Sequence, residues 1–294
     1  MSQKAGQSPP WLASPALLVL FFGMLLPLAM VLLDSFRQRG VYGGFAEIED
    51  LGLYLSSGAW LANYERALEP IYLKIFWRSS WMAVVTTLGC LVVAYPLAWW
   101  IARGMPERWR SVGLLLVVVP FWTSFVVRTF AWVWILRTEG LLNQVLVGIG
   151  LIDEPLALLY TEWAVLIGLI YGELPFMILP IYASLEKLDT SLLEAAADLG
   201  ASAWTTFWKV VWPLSLPGVV AGAVLVFVPS MGQFLISDML GGAKSVLVGN
   251  LIQNQFFGGK NAPFGFAVAF VLTLLVLGIL ALQARLVKGS QELL

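Results

Sequence analysis

The side chains able to do chemistry in this chain of 294 residues are few, and they are not those of a catalyst. Histidine is absent and the one cysteine, Cys90, lies in an apolar run, which removes disulfide scaffolds, Cys/His metal sites and imidazole base catalysis. No glycine-rich phosphate loop leads into Lys and Ser/Thr, so the chain does not bind ATP in the P-loop manner. Carboxylates in apolar surroundings remain. Glu173 stands about ten residues into a long apolar stretch, about 15 Å deep at helical rise and so near a bilayer midplane. An ionised carboxylate facing lipid there is expensive, so Glu173 is expected to face a pathway or a partner subunit, or else to be a protonated or paired structural group beside the Pro175 kink. Asp238 follows another apolar stretch and is read either as an attractor of cations or as an ordinary helix-end carboxylate. Gln233 lies about 5 residues before it, a neutral polar group of the same region. Arg128, inside a third stretch, is expected to partner an acidic group or backbone carbonyls near the outer surface.

The elements that must position these groups are membrane spans. With 60% hydrophobic and 12% charged residues and a mean hydropathy of +0.84, the apolar surface exceeds what one soluble core can bury. The expected fold is an all-α integral membrane protein with about six transmembrane helices. Spans are placed at about 15–33, 81–101, 112–135, 163–185, 214–236 and 264–287, within one domain over 14–290 preceded by a cytoplasmic segment 1–13. The first span is read as uncleaved, because the Asp34-Ser-Phe-Arg37 flank lacks a small-residue cleavage pattern. Residues 34–74 and 136–160 are extramembrane loops, the second with a weak amphipathic patch at 141–151. Arg103, Arg108 and Arg110 between the second and third spans place that loop, and hence both termini, in the cytoplasm. Gly218 and Gly222 form a small-xxx-small pattern read as helix packing. Near-neutral net charge without a basic run argues against nucleic acid, and the lack of an internal repeat argues against a secondary carrier.

One polar stretch interrupts this pattern. Residues 188–213 read LDTSLLEAAADLGASAWTTFWKVVWP. Ser191 and Glu194 have capping-box spacing, Ala195 to Ala197 propagate helix at no side-chain entropy cost, and Gly200 is placed for a left-handed C-terminal cap. Ser202 is expected to cap a second short helix that runs until Pro213. Glu194 and Asp198 lie one turn apart on one face. Short self-capped helices outside the lipid are what a soluble partner can grip.

Glu194-Ala195-Ala196, three residues and Gly200, followed at the right spacing by Val210-Val211-Trp212-Pro213, resemble the EAA loop of ABC importer permeases. Val210 and Trp212 replace the isoleucine and leucine of the pattern. Further segments, Tyr95-Pro-Leu-Ala98, Pro120-Phe-Trp-Thr-Ser124 with Arg128, Leu174-Pro-Phe-Met177, Glu186-Lys-Leu-Asp189, Asp198-Leu-Gly-Ala201 and Asp238 to Lys244, are similar to the polyamine (spermidine/putrescine) branch over most of the chain. The resemblance implies a type I ABC importer permease fold, a half-pore that is not itself an enzyme, and a bacterial inner membrane location. It implies as partners a second permease subunit of a different chain, an ATPase dimer that binds ATP and Mg, and an extracytoplasmic polyamine-binding protein, with membrane lipid around them. Glu194, Ala195, Ala196, Asp198 and Gly200 would then couple to the ATPase.

A path for polycations needs carboxylates and aromatic faces, the latter attracting cations by about 0.5–2 kcal/mol each. Glu173, Asp238, Gln233, Tyr171, Trp122, Phe125 and Trp132 are the candidates. Alternatives are a permease of the same superfamily for an iron chelate, an oxyanion or another organic cation, and an ion-coupled carrier. The two carboxylates lean against an oxyanion, and a carrier leaves the capped loop without a purpose.

Overall fold

In the computed structural model, residues 18–291 are described. The expected cytoplasmic segment 1–13 and the first residues of the first span lie outside them. The described chain is helical apart from its loops and one isolated antiparallel bridge between Arg39 and Phe45. In order the helices are α1 (Leu18–Ser35), α2 (Leu51–Ser56), α3 (Ala62–Ala67), α4 (Pro70–Gly104) and α5 (Glu107–Trp122). They continue with α6 (Phe125–Leu136), α7 (Leu141–Gly148), α8 (Glu162–Glu186) and α9 (Thr190–Asp198). The last three are α10 (Ala203–Gly232), α11 (Val248–Phe257) and α12 (Ala262–Gln291). Five of these, α1, α4, α8, α10 and α12, are long and apolar enough to cross a membrane, and the bent α5–α6–α7 stretch makes a sixth if it counts as one span.

Four expectations about boundaries are corrected. The helix that carries the second span begins at Pro70, so the first loop is shorter than 34–74 and carries two short helices of its own. The third span, expected to be continuous over 112–135, is broken: α5 ends in a tight turn through Pro120 and the chain then bends by 90°. Thr123 and Ser124 leave helical geometry there, and Thr123 Oγ1 donates to the Pro120 carbonyl at 2.7 Å. The short helix expected to stop at Pro213 does not stop. Trp212 N–H bonds back five residues to Phe207 O in a single wide turn, which absorbs the donor that proline lacks, and α10 runs on to Gly232. The fifth span therefore ends four residues before Ile236, and Asp238 belongs to a separate turn, Ser237–Gly241.

Two compact units divide the chain: one up to Tyr72 with Ile252–Leu274, the other Leu73–Leu251 with the residues from Leu275 onward. In the first, α1 exposes its apolar side chains all round, as a lipid-facing helix does. Its loop is folded by polar side chains: Asn63 donates to Ser35 O at 2.9 Å and Arg37 O at 2.7 Å, and Asp50 caps α2. Arg37 lies 4.4 Å over the Phe45 ring and Arg66 lies 4.4 Å over that of Phe264.

The second unit is built on α8 packed against α10. A Cβ at Gly218 would stand 2.5 Å from Pro180 O, and one at Gly222 would stand 2.8 Å from Met177 Sδ, so the two helix backbones meet where side chains are absent. This bears out the packing role read from the small-xxx-small spacing. Small residues of α4, Cys90, Ala94 and Ala98, admit Met177, Ile178 and Ile181 of α8 into one core. A second core gathers Met82, Leu136, Leu169, Ile236 and Leu240. Polar groups inside the unit are mostly paired, with Tyr95 and Ser215 joined at 2.8 Å and Ser79 Oγ accepting from Val248 N–H.

Candidate functional site

The polar segment is a short exposed helix hung on the end of α8. Its cap is Asp189, not Ser191: Asp189 Oδ1 accepts from Ser191 N–H at 3.0 Å, and no capping box forms with Glu194. Asp189 lies nearer the turn and its carboxylate reaches the first free amide. That amide bond, with the Arg103 charge as a lesser contribution, holds the Asp189 carboxyl below the usual carboxylate range. At the other end Gly200 has a φ of 74°, its N–H bonding Ala197 O at 2.9 Å and that of Ala201 bonding Ala196 O at 3.0 Å. This is the left-handed cap expected of Gly200. Ser202 then caps α10 by accepting from Thr205 N–H at 3.2 Å, also as expected.

Between the caps no side chain of α9 is buried. Glu194 and Asp198 are exposed on one face, and Leu193 alone packs against the core. Apolar groups stand in the open beside them, Leu199 at 88% and Trp204 at 71% exposure. Phe207 and Trp212 continue that ridge onto Tyr95 of α4, with ring centroids 5.6 Å and 5.5 Å away. A cleft of about 350 Å³ opens at the foot of the segment, lined by Ser184, Lys187, Leu188, Asp189, Leu192 and Leu214. Arg103, read in the sequence only as part of an arginine cluster, fastens this junction. It donates to Leu185 O at 2.8 Å and to Leu188 O.

Of the groups expected along a path, the fold brings three together. Phe125 and Trp132 from α6 and Tyr171 from α8 line one small cavity with Arg128, Thr129 and the two glycines Gly168 and Gly172. Trp122 does not join them. It is 76% exposed, and Phe121 takes the place instead, stacked on Tyr171 at 6.4 Å. The 90° break just after Trp122 decides which of the two neighbours turns inward. Arg128 is corrected as well: its Nε and Nη1 are buried with no acceptor, and the guanidinium carbon lies 4.2 Å over the Phe121 ring. Neither carboxylate nor carbonyl reaches those two nitrogens, since the turn through Pro120 presents a ring there.

Glu173 lies at the middle of α8, as its position required, but it is 5% exposed and buried within the chain, Oε2 without a partner. Asp238 is exposed, and Gln233 is half-buried, its Oε1 accepting from Leu235 N–H at 3.3 Å. Glu173, Gln233 and Asp238 do not line the small aromatic cavity. Asn143, unmarked in the sequence reading, ties the loop after α6: Nδ2 donates to Arg137, Thr138 and Leu156 carbonyls and Oδ1 accepts from Leu156 N–H. Its signal was an amide pair, Asn143 and Gln144, inside an otherwise apolar helix.

Apolar helices long enough to cross a membrane, with a capped, exposed segment between the fourth and fifth spans, are the arrangement of a multi-pass membrane protein. The chain belongs to the family of binding-protein-dependent transport system inner membrane components, whose pattern covers residues 94–290. It is 44% identical over 265 residues to the spermidine/putrescine transport system permease protein PotB of Salmonella typhimurium, across 90% of this chain and 88% of that one. The PotB protein of Escherichia coli K12 is 43% identical over 280 residues, across 94% and 97%. The inner membrane ABC transporter permease protein YdcU of the same organism is 31% identical over 281 residues, across 91% and 85%. Among solved structures, a bacterial ABC transporter that imports the acidic polysaccharide alginate aligns with a TM-score of 0.69 at 17% identity, covering 95% of this chain and 96% of that one. The inward-facing MetNI methionine ABC transporter aligns at 0.57 and 21%, covering 77% and 98%. These likenesses establish the type I ABC importer permease fold.

Proposed function

We propose that this chain is one permease half of an ATP-driven polyamine importer of the bacterial inner membrane. The observation that carries the reading is its identity, over nearly the whole length, with permeases named for spermidine and putrescine. A second, different permease chain completes the pore, an ATPase dimer binds ATP and Mg on the cytoplasmic side where both termini lie, and an extracytoplasmic binding protein delivers the substrate. The α9 helix is the coupling element. Glu194 and Asp198 face the ATPase, Ala195 and Ala196 keep the surface low enough for close contact, and Gly200 fixes the turn into α10. The cation path runs past Tyr171, Phe125 and Trp132. Glu173 offers its unpartnered oxygen at mid-span once the helices part, with Asp238 and Gln233 at the mouth and Trp122 exposed at the end of α5.

The test is ATPase stimulation and uptake by the assembled transporter in proteoliposomes, offered putrescine, spermidine, an iron chelate and sulfate, each with its loaded binding protein. Stimulation confined to the polyamines is expected, and stimulation by sulfate or the chelate without the polyamines overturns the reading. In the same vesicles Glu173→Gln is expected to lower polyamine uptake about tenfold, the effect of one lost charge-assisted contact. Unchanged uptake across a substrate titration removes Glu173 from the path.

A further inference from the structure

The aromatic cluster already holds a cation, and it belongs to the chain. The Arg128 guanidinium carbon stands 4.2 Å from the centroid of Phe121 and 5.7 Å from that of Phe125. Phe121 stacks on Tyr171 at 6.4 Å, and Tyr171 meets Trp132 edge-on at 5.4 Å. On one side of this ladder the Arg128 cavity has room for a single water, about 10 Å³. On the other, Phe121 and Tyr171 help to wall an apolar cleft of about 380 Å³ with Trp100, Leu116, Leu174 and Ile178.

A guanidinium in apolar surroundings ordinarily takes a carboxylate or several carbonyl oxygens. Arg128 has neither at Nε or Nη1, and the ion pairs among the described residues, Arg37–Asp34 and Arg78–Glu162, do not involve it. Its ring contacts are the faces of Phe121 and Phe125, and of its three nitrogens Nη2 alone is not buried without a partner. Two unpaired buried donors cost more than a ring face returns, so this cation is weakly held where it sits. The same faces are what an alkylammonium group seeks.

We propose that Arg128 is a tethered cation that fills the aromatic cation site in the substrate-free chain, and that an incoming alkylammonium group displaces it from Phe121. This rests on the polyamine reading above and gives the site its selectivity. A small inorganic cation gains too little from a ring to give up its water and evict the guanidinium. A polyamine brings several ammonium groups on apolar stems and gains from ring after ring. The ring site therefore stays closed to other cations without a moving lid.

The experiment measures spermidine uptake by the assembled transporter in proteoliposomes while free guanidinium chloride is titrated at constant ionic strength. Arg128→Ala leaves the ring faces vacant, so free guanidinium is expected to inhibit it at a concentration about fivefold lower than the wild type, in keeping with one cation–π contact. Arg128→Lys keeps a tethered cation, so its inhibition curve, normalised to its own uptake without guanidinium, is expected to follow that of the wild type. Equal inhibition curves for Arg128→Ala and wild type overturn the proposal. So does a normalised curve for Arg128→Lys that follows that of Arg128→Ala, which marks a role that needs the guanidinium fork and not merely a tethered charge. Where Arg128→Ala fails to assemble, Arg128→Met keeps the bulk of the stem and gives the same comparison. A wild type that takes up no spermidine defeats the polyamine reading itself; one that takes it up with equal curves defeats only the tethered cation.

Discussion

Arg103 ends one helix and fastens another. The last turn of α8 leaves carbonyls without intrahelical donors, and a positive charge there also meets the negative end of the helix dipole. Arg103 supplies both from the wide turn Trp100–Gly104 that closes α4. Its guanidinium donates to Leu185 O and Leu188 O, one residue before the cap of α9. The junction that a partner would move is thus tied to α4 as well as to α8. Arg103→Gln is expected to leave insertion intact and to lower substrate moved per ATP hydrolysed about tenfold, through loss of charge-assisted bonds worth about 1.5–3 kcal/mol. Arg103→Lys should fall between, because an ammonium lacks the planar fork that reaches two carbonyls. Simultaneous measurement of uptake and phosphate release decides it; an unchanged ratio in Arg103→Gln removes the residue from coupling. The sequence marked Arg103 only as one of three neighbouring arginines. Its acceptors lie 82 and 85 residues further along the chain, a distance over which spacing carries no information.

At the scale of the element, what could be read was whatever a single helix decides for itself. The spans at 163–185 and 264–287, the caps at Gly200 and Ser202, and the glycines of the fifth span all depend on local periodicity or on one residue's backbone freedom. What could not be read depends on competition. Asp189 displaces Ser191 as cap because it reaches the free amide first. A wide turn lets α10 pass Pro213, where a proline ordinarily marks a boundary. The break after Pro120 turns Phe121 rather than Trp122 toward Tyr171, although by type the Trp122 ring suits a cation better. The close backbone approach of α8 to α10 makes a stability prediction. Gly218→Val puts atoms where Pro180 O and Ser184 Oγ already stand 2.5 Å and 2.4 Å from a Cβ. Overpacking of this kind costs about 1–3 kcal/mol. The purified protein is expected to unfold at lower temperature in detergent, whereas Gly148→Ala, with nothing within 4 Å, should not lower the midpoint. Equal midpoints for Gly218→Val and wild type show that the helices are not held at this contact.

For the whole molecule, the question is how work done outside the membrane reaches groups inside it. The exposed helix α9 joins α8 across Lys187 to Asp189 and joins α10 across Leu199 to Ser202, and each of those helices continues as one long apolar helix despite its interior prolines. A push on α9 therefore passes to two long helices at once. One of them, α8, carries Tyr171 and Glu173; the other ends beside Gln233 and the turn that bears Asp238. The turn at Gly200 must hold for this to work. Proline there can adopt neither the positive φ of 74° nor the hydrogen bond that Gly200 N–H gives to Ala197 O. Gly200→Pro is thus expected to abolish uptake and the co-purification of the ATPase subunit while the chain still inserts. Ala196→Trp tests the same surface differently, since it leaves the helix intact and adds bulk where a close partner would sit. It is expected to lose the ATPase as well. Retained co-purification and uptake in both variants exclude α9 as the joint. Loss in Gly200→Pro alone shows that the geometry of the turn transmits the motion while the Ala196 surface lies outside the contact.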